Sequence, residues 1–557
     1  MTTETTSAKD SANSALRPFA ITLGVGSSLA NRTGSWRTER PMYVDLLPPC
    51  NRACPAGENI QGWLKHAEEG DYEAAWRLLV NDNPLPAVMG RVCYHTCQTA
   101  CNRAEVDEAV GINAVERFLG DEAIAKGWEF RREVPPTGKK VLVVGSGPSG
   151  LSAAYHLARL GHDVTVRDMG AKPGGMMRYG IPAYRLPRTI LDAEIARIAA
   201  LGVTFEQGVR VDDVEAALEE FDAVFAAVGA GVGRNVGIPA AEAARVMDAV
   251  DVLRQVEDSA DGEAETPMLG RTVVVYGGGN TAVDAARTAR RLGAAESVIL
   301  YRRTRDRMPA HDSEVLEAEE EGITMRWLST VDHVGEGVVR IEKMELDEDG
   351  FPQPTGEFEE LAADSLIMAL GQDADLSLLD GVDGVAVERG VVQVDDAMMT
   401  GRAGVFAGGD MTPGERNVTV AIGHGKKAAR AIDAWLNGDT YRPEARHGDA
   451  TLDRMETWYY SDAPHRVRGK LEGARRASTF DEVVTGLDEE SALFEARRCM
   501  SCGNCFGCDN CFGVCPDNAV TKIRPGEYEF KYDYCKGCGI CAEECPCGAI
   551  SMVPEEI

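Results

Sequence analysis

Sixteen cysteines fall in two groups, at residues 50–101 and 499–547, and the long stretch between them has none. A disulfide framework spreads its cysteines along a chain, whereas clustered short spacings point to metal. In the second group Cys505, Cys508 and Cys511 precede Cys515-Pro516, and Cys535, Cys538 and Cys541 precede Cys545-Pro546. The C-x2-C-x2-C-x3-C-P run wraps three thiolates around one [4Fe–4S] cube and sends the fourth to a neighbouring one. Cys505, Cys508, Cys511 and Cys545 are therefore expected around one cluster, and Cys535, Cys538, Cys541 and Cys515 around another. Zinc also uses C-x2-C pairs, but two complete copies with the trailing proline favour iron–sulfur. Cys499, Cys502 and Cys547 are left over and read as thiols without a cluster. In the first group Cys50, Cys54, Cys93, Cys97 and Cys101 suit one further [4Fe–4S] cluster with a thiol to spare. Spacing alone does not separate that reading from zinc. About three clusters are expected in all.

Between the cysteine groups the chain twice writes an apolar strand, a glycine turn and a helix. The first copy is VLVV followed by Gly145-Ser-Gly147-Pro148-Ser149-Gly150. Such glycines allow a tight turn, close backbone approach to a pyrophosphate and close helix–strand packing, and the helix N-terminus favours the phosphate charge. Asp168 ends the next strand, where a carboxylate accepts from a ribose hydroxyl. A later strand ends in Gly408-Gly409-Asp410, resembling a second flavin fingerprint. Its aspartate would bind the ribitol chain, and the helix starting near Thr419 and Val420 would point at the flavin ring. This pairing favours FAD at the first site.

The second copy is VVVY, then Gly277-Gly-Gly279-Asn280-Thr281-Ala282, with alanine at the third position. The following strand ends in Tyr301-Arg302-Arg303, with Arg305 and Arg307 close behind. NAD calls for an acid there, whereas arginines suit a 2′-phosphate. NADP(H) is therefore favoured, with NAD(H) the alternative.

At 557 residues the chain needs several domains. Its formal charge of −31 repels nucleic acid and anionic lipid and suits docking to a basic protein face. No apolar run reaches the roughly 18 residues of a membrane span, and the polar N-terminus does not read as a secretory signal, so a cytoplasmic protein is expected. The pattern predicts a mobile arm over 1–40, a helical cysteine domain over 41–135, nucleotide-binding segments over 136–255, 256–380 and 381–440, a linker over 441–490, and a cysteine-rich end over 491–557.

The segments PPCNRACP, GRVCYHTCQTACNR, INAVERF, VVGSGPSGLSAA, GGMMRYGIPAYRLP, GGGNTAVDAAR, YRRTRDRMPA, IMALGQ and FAGGD resemble the glutamate synthase small (beta) subunit family, over roughly residues 40–440. Its relatives include the N-terminal half of dihydropyrimidine dehydrogenase. The resemblance implies an α/β multidomain fold. A helical iron–sulfur domain precedes two Rossmann-like domains, the NADPH domain being inserted in the FAD domain, and an α+β ferredoxin-like domain follows. It implies that Gly174, Gly175 and Arg178 line the flavin, that Gly371 borders the nucleotide sites, and that Arg302, Arg303 and Arg307 face the 2′-phosphate. Glu116 matches a position where relatives supply a non-cysteine ligand, completing a set with Cys54, Cys93 and Cys97. Two-cluster relatives carry two more cysteines shortly before the position of Cys50. Residues 1–49 hold none, so one N-terminal cluster is expected, with the places of Cys50, Cys101 and Glu116 open.

The C-terminal extension resembles the ferredoxin modules of relatives serving 2-oxoacid oxidoreductases, benzoyl-CoA reductase systems or dissimilatory sulfite reductase. The function expected is electron transfer between NAD(P)H and a partner redox protein through FAD and the clusters. No side chain is expected to act as a catalytic acid, base or nucleophile, and His311 and His424 are given packing or surface roles. The alternatives are a glutamate synthase small subunit serving a separate large chain, and an electron-relay scaffold without nicotinamide turnover.

Overall fold

A computed structural model describes residues 32–555 except Glu133, Asn235, Asp261, Glu263 and residues 444–446. Two parallel sheets form its centre. In the first, the strands run in the order Val405–Ala407, Ala223–Ala226, Lys140–Val144, Asp163–Asp168 and Thr204–Gln207. Apolar runs such as VLVV suit strands covered on both faces, and Val141, Leu142 and Val143 are fully buried. The strand beside Ala223–Ala226 is supplied by Val405–Ala407, so the chain leaves this sheet and returns to it much later.

The excursion builds the second sheet, in the order Thr324–Arg326, Glu296–Leu300, Thr272–Tyr276, Ser365–Met368 and Val246–Asp248. An antiparallel three-stranded sheet, Ser329–Val334, Val338–Leu346 and Pro352–Ala362, packs beside it. The fold class is the α/β multidomain arrangement expected. The strand Val246–Asp248 pairs with Ser365–Met368, so the second sheet begins ahead of the expected boundary at 255/256. Three residues are too few to show a period.

The helical domain comprises Ile60–Glu68, Tyr72–Leu79, Pro86–Val92 and Ile112–Lys126. Asn59 and Asp71 cap the first two helices by accepting from Gly62 and Ala74 N–H, each worth about 1 kcal/mol. Trp63, Trp76 and Leu119 fill its core. That core also takes in Ala492 and Ala496 from the helix Glu489–Arg497. The chain's far end is thus packed into its N-terminal domain.

Two expected segments differ. The arm foreseen over 1–40 lies outside the described residues up to 31, but Glu39–Tyr43 forms a strand paired antiparallel with Ile550–Pro554. Tyr43 stacks on Phe530 at 4.6 Å. A strand whose partner lies at the other terminus has no local signature. The linker foreseen over 441–490 is a strap tied down along its length. Arg468 donates to Gly90 O at 3.0 Å, Arg476 pairs with Glu320 at 2.9 Å, and Arg291 donates to Thr479 O at 3.1 Å. Its polar composition reflects hydrogen bonding to two domains. Among the described residues no helix is long and apolar enough to cross a membrane.

Candidate functional site

The first glycine loop joins Lys140–Val144 to the helix Pro148–Arg159. Gly145 has φ 105°, and a Cβ there would meet Ala227 O at 2.3 Å. Around Gly147 nothing stands within 4 Å of a would-be Cβ, which leaves room for a phosphate. Ser149 Oγ is buried at the helix start without a hydrogen-bond partner, as a group awaiting a pyrophosphate oxygen would be. Asp168 accepts from Ser146 N and Oγ, at 2.6 and 2.7 Å, and from Gly170 N at 2.7 Å. It therefore shapes the loop.

Gly174 N donates to Ser146 O at 3.0 Å, which lays the Gly174–Gly175 turn against this loop. Arg178 spends its guanidinium on Pro173 O, Asp192 and Glu257. It holds that turn and presents no free charge.

Gly409 and Asp410 follow the strand Val405–Ala407. Gly409 N donates to His424 Nδ1 at 3.2 Å, so His424 fixes the turn that sequence reasoning treated as packing. Burial pushes the Asp410 carboxyl up to about 6. The helix Val418–Leu436 starts here, capped by Asn417 Oδ1 accepting from Val420 N at 2.9 Å. Thr419 Oγ1 donates to Cys93 Sγ at 3.3 Å. A Cβ on Gly409 would meet Ser149 Cβ at 3.1 Å, so these elements and the first glycine loop form one site, and it abuts a thiol.

In the second loop Gly279 is open and Ala282 is fully buried. Asn280 bridges outward, donating to Tyr94 Oη at 2.6 Å and accepting from His311 N at 2.9 Å. The Tyr94 and His311 rings stack at 5.0 Å. Tyr94, adjacent to Cys93, was missed in the sequence because its partners belong to another domain. Gln372 donates to Thr281 Oγ1 at 3.1 Å and Arg234 N to Gly371 O at 2.9 Å, so Gly371 stands beside the loop. Arg302 and Arg307 are exposed, and Arg303 Nε is buried without a partner. Arg305 is committed to Glu319 at 2.8 Å. Arg307 stands 3.7 Å from Asp306, and with Arg302 and Arg303 it makes up the set expected at the 2′-phosphate.

At the C-terminal end Cys505, Cys508, Cys511 and Cys545 line one cavity of about 300 Å³, and Cys515, Cys535, Cys538 and Cys541 another of about 330 Å³. These are the crossed sets expected from spacing. Tyr43 Oη lies 3.3 Å from Cys511 Sγ, a neighbour with no sequence signal. Cys547 stands 3.9 Å from Cys545 on the wall of the first cavity.

The five N-terminal thiols do not form one group. Cys97 is surrounded by Cys54, Cys93, Glu116 and Glu58, whose charges add to burial in pushing its thiol up. Burial likewise pushes Cys93 up to about 11. Asn83 Nδ2 donates to Glu116 at 2.8 Å and to Glu58 at 3.0 Å. Burial raises both carboxyls, Glu58 to about 7. Sequence reasoning passed over Glu58, four residues after Cys54. Thiols and acids crowded out of water favour a cationic core that stabilises their charged forms. Cys50 and Cys101 lie apart from this set and line a different cavity. Among the described residues no three such side chains gather tightly enough to hold a single ion.

Residues 139–425 match the family described as pyridine nucleotide-disulphide oxidoreductase. Residues 40–128 match dihydropyrimidine dehydrogenase domain II, 4Fe-4S cluster, and residues 528–551 the 4Fe-4S binding domain. The chain is 35% identical over 508 residues to the NADP(+)-dependent formate dehydrogenase subunit beta of Moorella thermoacetica, covering 82% of this chain and 71% of that one. It is 33% identical over 517 residues to the NADPH-Fe(3+) oxidoreductase subunit beta of Geobacter sulfurreducens, covering 83% and 76%. It is 34% identical over 416 residues to the glutamate synthase [NADPH] small chain of Halomonas elongata, covering 70% and 88%. With the FAD cradle, the NADP(H) loop and the [4Fe–4S] domains in place, the chain belongs to the pyridine nucleotide-disulphide oxidoreductase family, as an NAD(P)H-dependent iron–sulfur flavoprotein akin to glutamate synthase small chains.

Proposed function

We propose that this oxidoreductase is the nicotinamide-handling subunit of a hetero-oligomer, exchanging electrons with a partner redox protein docked at its ferredoxin end. The observation that carries this reading is the Thr419–Cys93 contact. One helix N-terminus serves the FAD cradle on one side and a cluster thiol on the other. Bound FAD supplies the conversion between a hydride's two electrons and the single electrons of clusters. The protein holds and orients. Gly147 and Ser149 receive the pyrophosphate, Asp410 the ribitol chain, and His424 keeps the Gly409 turn in register. Arg302, Arg303 and Arg307 select the 2′-phosphate by charge-assisted hydrogen bonds. The subunit names of the Moorella and Geobacter relatives support a hetero-oligomer.

Phe512, Ile523 and Ile540 are exposed around the ferredoxin sites. With the acidic charge, they suit a partner face that is basic with an apolar centre. A 2-oxoacid oxidoreductase or a dissimilatory sulfite reductase is a partner of the required kind, in the cytoplasm. The Halomonas relative supports a second reading, a small chain feeding a glutamate synthase large chain.

Anaerobic stopped-flow with NADPH tests the proposal. Flavin bleaching followed by reduction of the cluster absorbance is expected, and absence of bleaching overturns it. Glutamine-dependent NADPH oxidation on adding a glutamate synthase large chain would transfer the role to the second reading.

A further inference from the structure

The cavity lined by Cys50 and Cys101 is closed on its other side by Cys499 and Cys502. It measures about 350 Å³, against about 300 and 330 Å³ for the two ferredoxin cavities. Its remaining walls are apolar at Leu64, Val110, Ile112 and Met500 and polar at Gln61, Asn102 and Arg103.

Three further observations converge on this place. First, the backbone around Cys499 and Cys502 repeats that of the ferredoxin loops. In those loops the second residue after the leading cysteine is left-handed, Gly507 at φ 82° and Gly537 at φ 74°. The residue after the next cysteine is left-handed too, Asp509 at φ 66° and Gly539 at φ 79°. After Cys499 and Cys502 the same places hold Ser501 at φ 49° and Gly503 at φ 70°. Serine adopts that conformation only at a cost, of order 1 kcal/mol. Second, the turn points an N–H at the thiol. Ser501 N donates to Cys499 Sγ at 3.4 Å, as His95 N does to Cys93 Sγ at 3.4 Å. Gly507 and Gly537 N–H groups serve Cys505 and Cys535 in the same way. Third, the segment is clamped. Glu495, fully buried, accepts from Gly111 N at 2.7 Å and from Arg498 at 3.1 Å. Gln61 Nε2 donates to Ser501 Oγ at 3.2 Å, and Gly503 N to Cys547 O at 2.6 Å.

We propose that Cys50, Cys101, Cys499 and Cys502 bind an additional [4Fe–4S] cluster, raising the expected number from three to four. The two cysteines missing ahead of Cys50 are thereby supplied from the opposite end of the chain. The helix Pro49–Ala53 joins this site to the flavin-side one, since Cys50 lies in its first turn and Cys54 is its C-cap. On the far side Tyr460 Oη donates to Met500 O at 3.1 Å, and Gly503 N reaches Cys547, which lines the first ferredoxin cavity. The additional cluster therefore stands between the flavin-side set and the ferredoxin pair, as the link in a single relay. It rests on the reading of the chain as a relay, which flavin bleaching tests separately.

The test is iron and sulfide analysis with electron paramagnetic resonance on the full chain, prepared anaerobically. About 16 iron atoms per FAD are expected, falling to about 12 in the C499S/C502S double variant. One signal of the dithionite-reduced protein is lost. Bleaching of the flavin by NADPH persists, while NADPH no longer reduces the ferredoxin clusters. Should the double variant fail to fold, C101S is read instead and is expected to remove the same signal. About 12 iron atoms in the unaltered protein, or stoichiometric zinc beside them, overturns the proposal. So does a double variant or C101S that keeps every signal.

Discussion

The two ends of the chain hold thiols in two different ways. At the C-terminal end each cavity is lined by a single short run plus the fourth cysteine of its twin, with Cys547 also on the wall of the first. At the N-terminal end two C-x3-C pairs are each divided between two places. Cys54 and Cys97 go to the flavin side, and Cys50 and Cys101 to the opposite side. Residues four apart on a helix share a face, so spacing alone would keep each pair together; instead Cys54 is the extended residue that ends Pro49–Ala53, and Cys101 is extended ahead of Asn102–Glu105. The ferredoxin end can be read from spacing, whereas the N-terminal sites depend on what packs against them.

Cys511→Ser, at the spacing-defined end, is expected to give the largest effect. It should remove about 4 iron atoms and abolish delivery to any protein acceptor. Flavin bleaching by NADPH should stay at the wild-type rate. A protein acceptor reduced as fast as before would show that electrons leave from another site and would break the comparison.

Glu116 sharpens the other half. Glu116→Ala should destabilise the flavin-side cluster, seen as about 4 iron atoms lost on air exposure, while Glu116→Gln, still able to donate oxygen, should retain iron with a shifted resonance. Equal iron content in all three proteins would assign the fourth ligand elsewhere, with Glu58 the nearest candidate.

The nucleotide sites behave like the ferredoxin end. Strand, glycine turn and helix follow one another within about 20 residues, because a βα unit makes its phosphate site locally. Arg302, Arg303 and Arg307 follow the strand Glu296–Leu300 of the second sheet. Arg302→Ala together with Arg303→Ala should raise KM for NADPH about 10- to 100-fold, from loss of charge-assisted hydrogen bonds worth about 1.5–3 kcal/mol. kcat and the KM for NADH should change little. A matching loss with NADH would mean that these arginines hold the domain and not the 2′-phosphate.

What the sequence hid shares one property: its partners are remote. The strand Glu39–Tyr43 needs Ile550–Pro554, Tyr94 needs Asn280, and Cys50 needs Cys499. Each is a short segment without periodicity, and its meaning appears only when the chain closes on itself. Cys499 and Cys502 were set aside as unligated because they only extend the C-x2-C register of the ferredoxin run, whose own eight cysteines already fill two clusters. The strap over residues 441–490 was similarly read as a linker, since polar residues that satisfy another domain's carbonyls look the same in sequence as residues facing water.

The smallest expected effect comes from the clamp on that remote closure. Asp107 accepts from Arg103 at 2.7 and 2.6 Å, from Ala463 N at 2.8 Å and from Arg498 at 3.1 Å. The Arg103 guanidinium, aided by the Ala463 N–H, holds its carboxyl well below the usual aspartate value. A depressed carboxyl contributes stability that is complete above the unfolded value of about 4 and is lost as pH falls through the folded one. The carboxyl keeps only a small solvent exposure but Arg498 has other partners, so about 1 kcal/mol is expected. Hydrogen exchange measures it locally. In wild type, protection of residues 461–465 and 498–503 should hold from pH 7 down to about 4 and weaken below. In Asp107→Asn it should already be reduced at pH 7, and the difference between the two proteins should shrink as the wild-type carboxyl takes up its proton. Equal protection at pH 7 would mean that Glu495 and the helix Glu489–Arg497 alone carry the closure, and that the strap only rests on it.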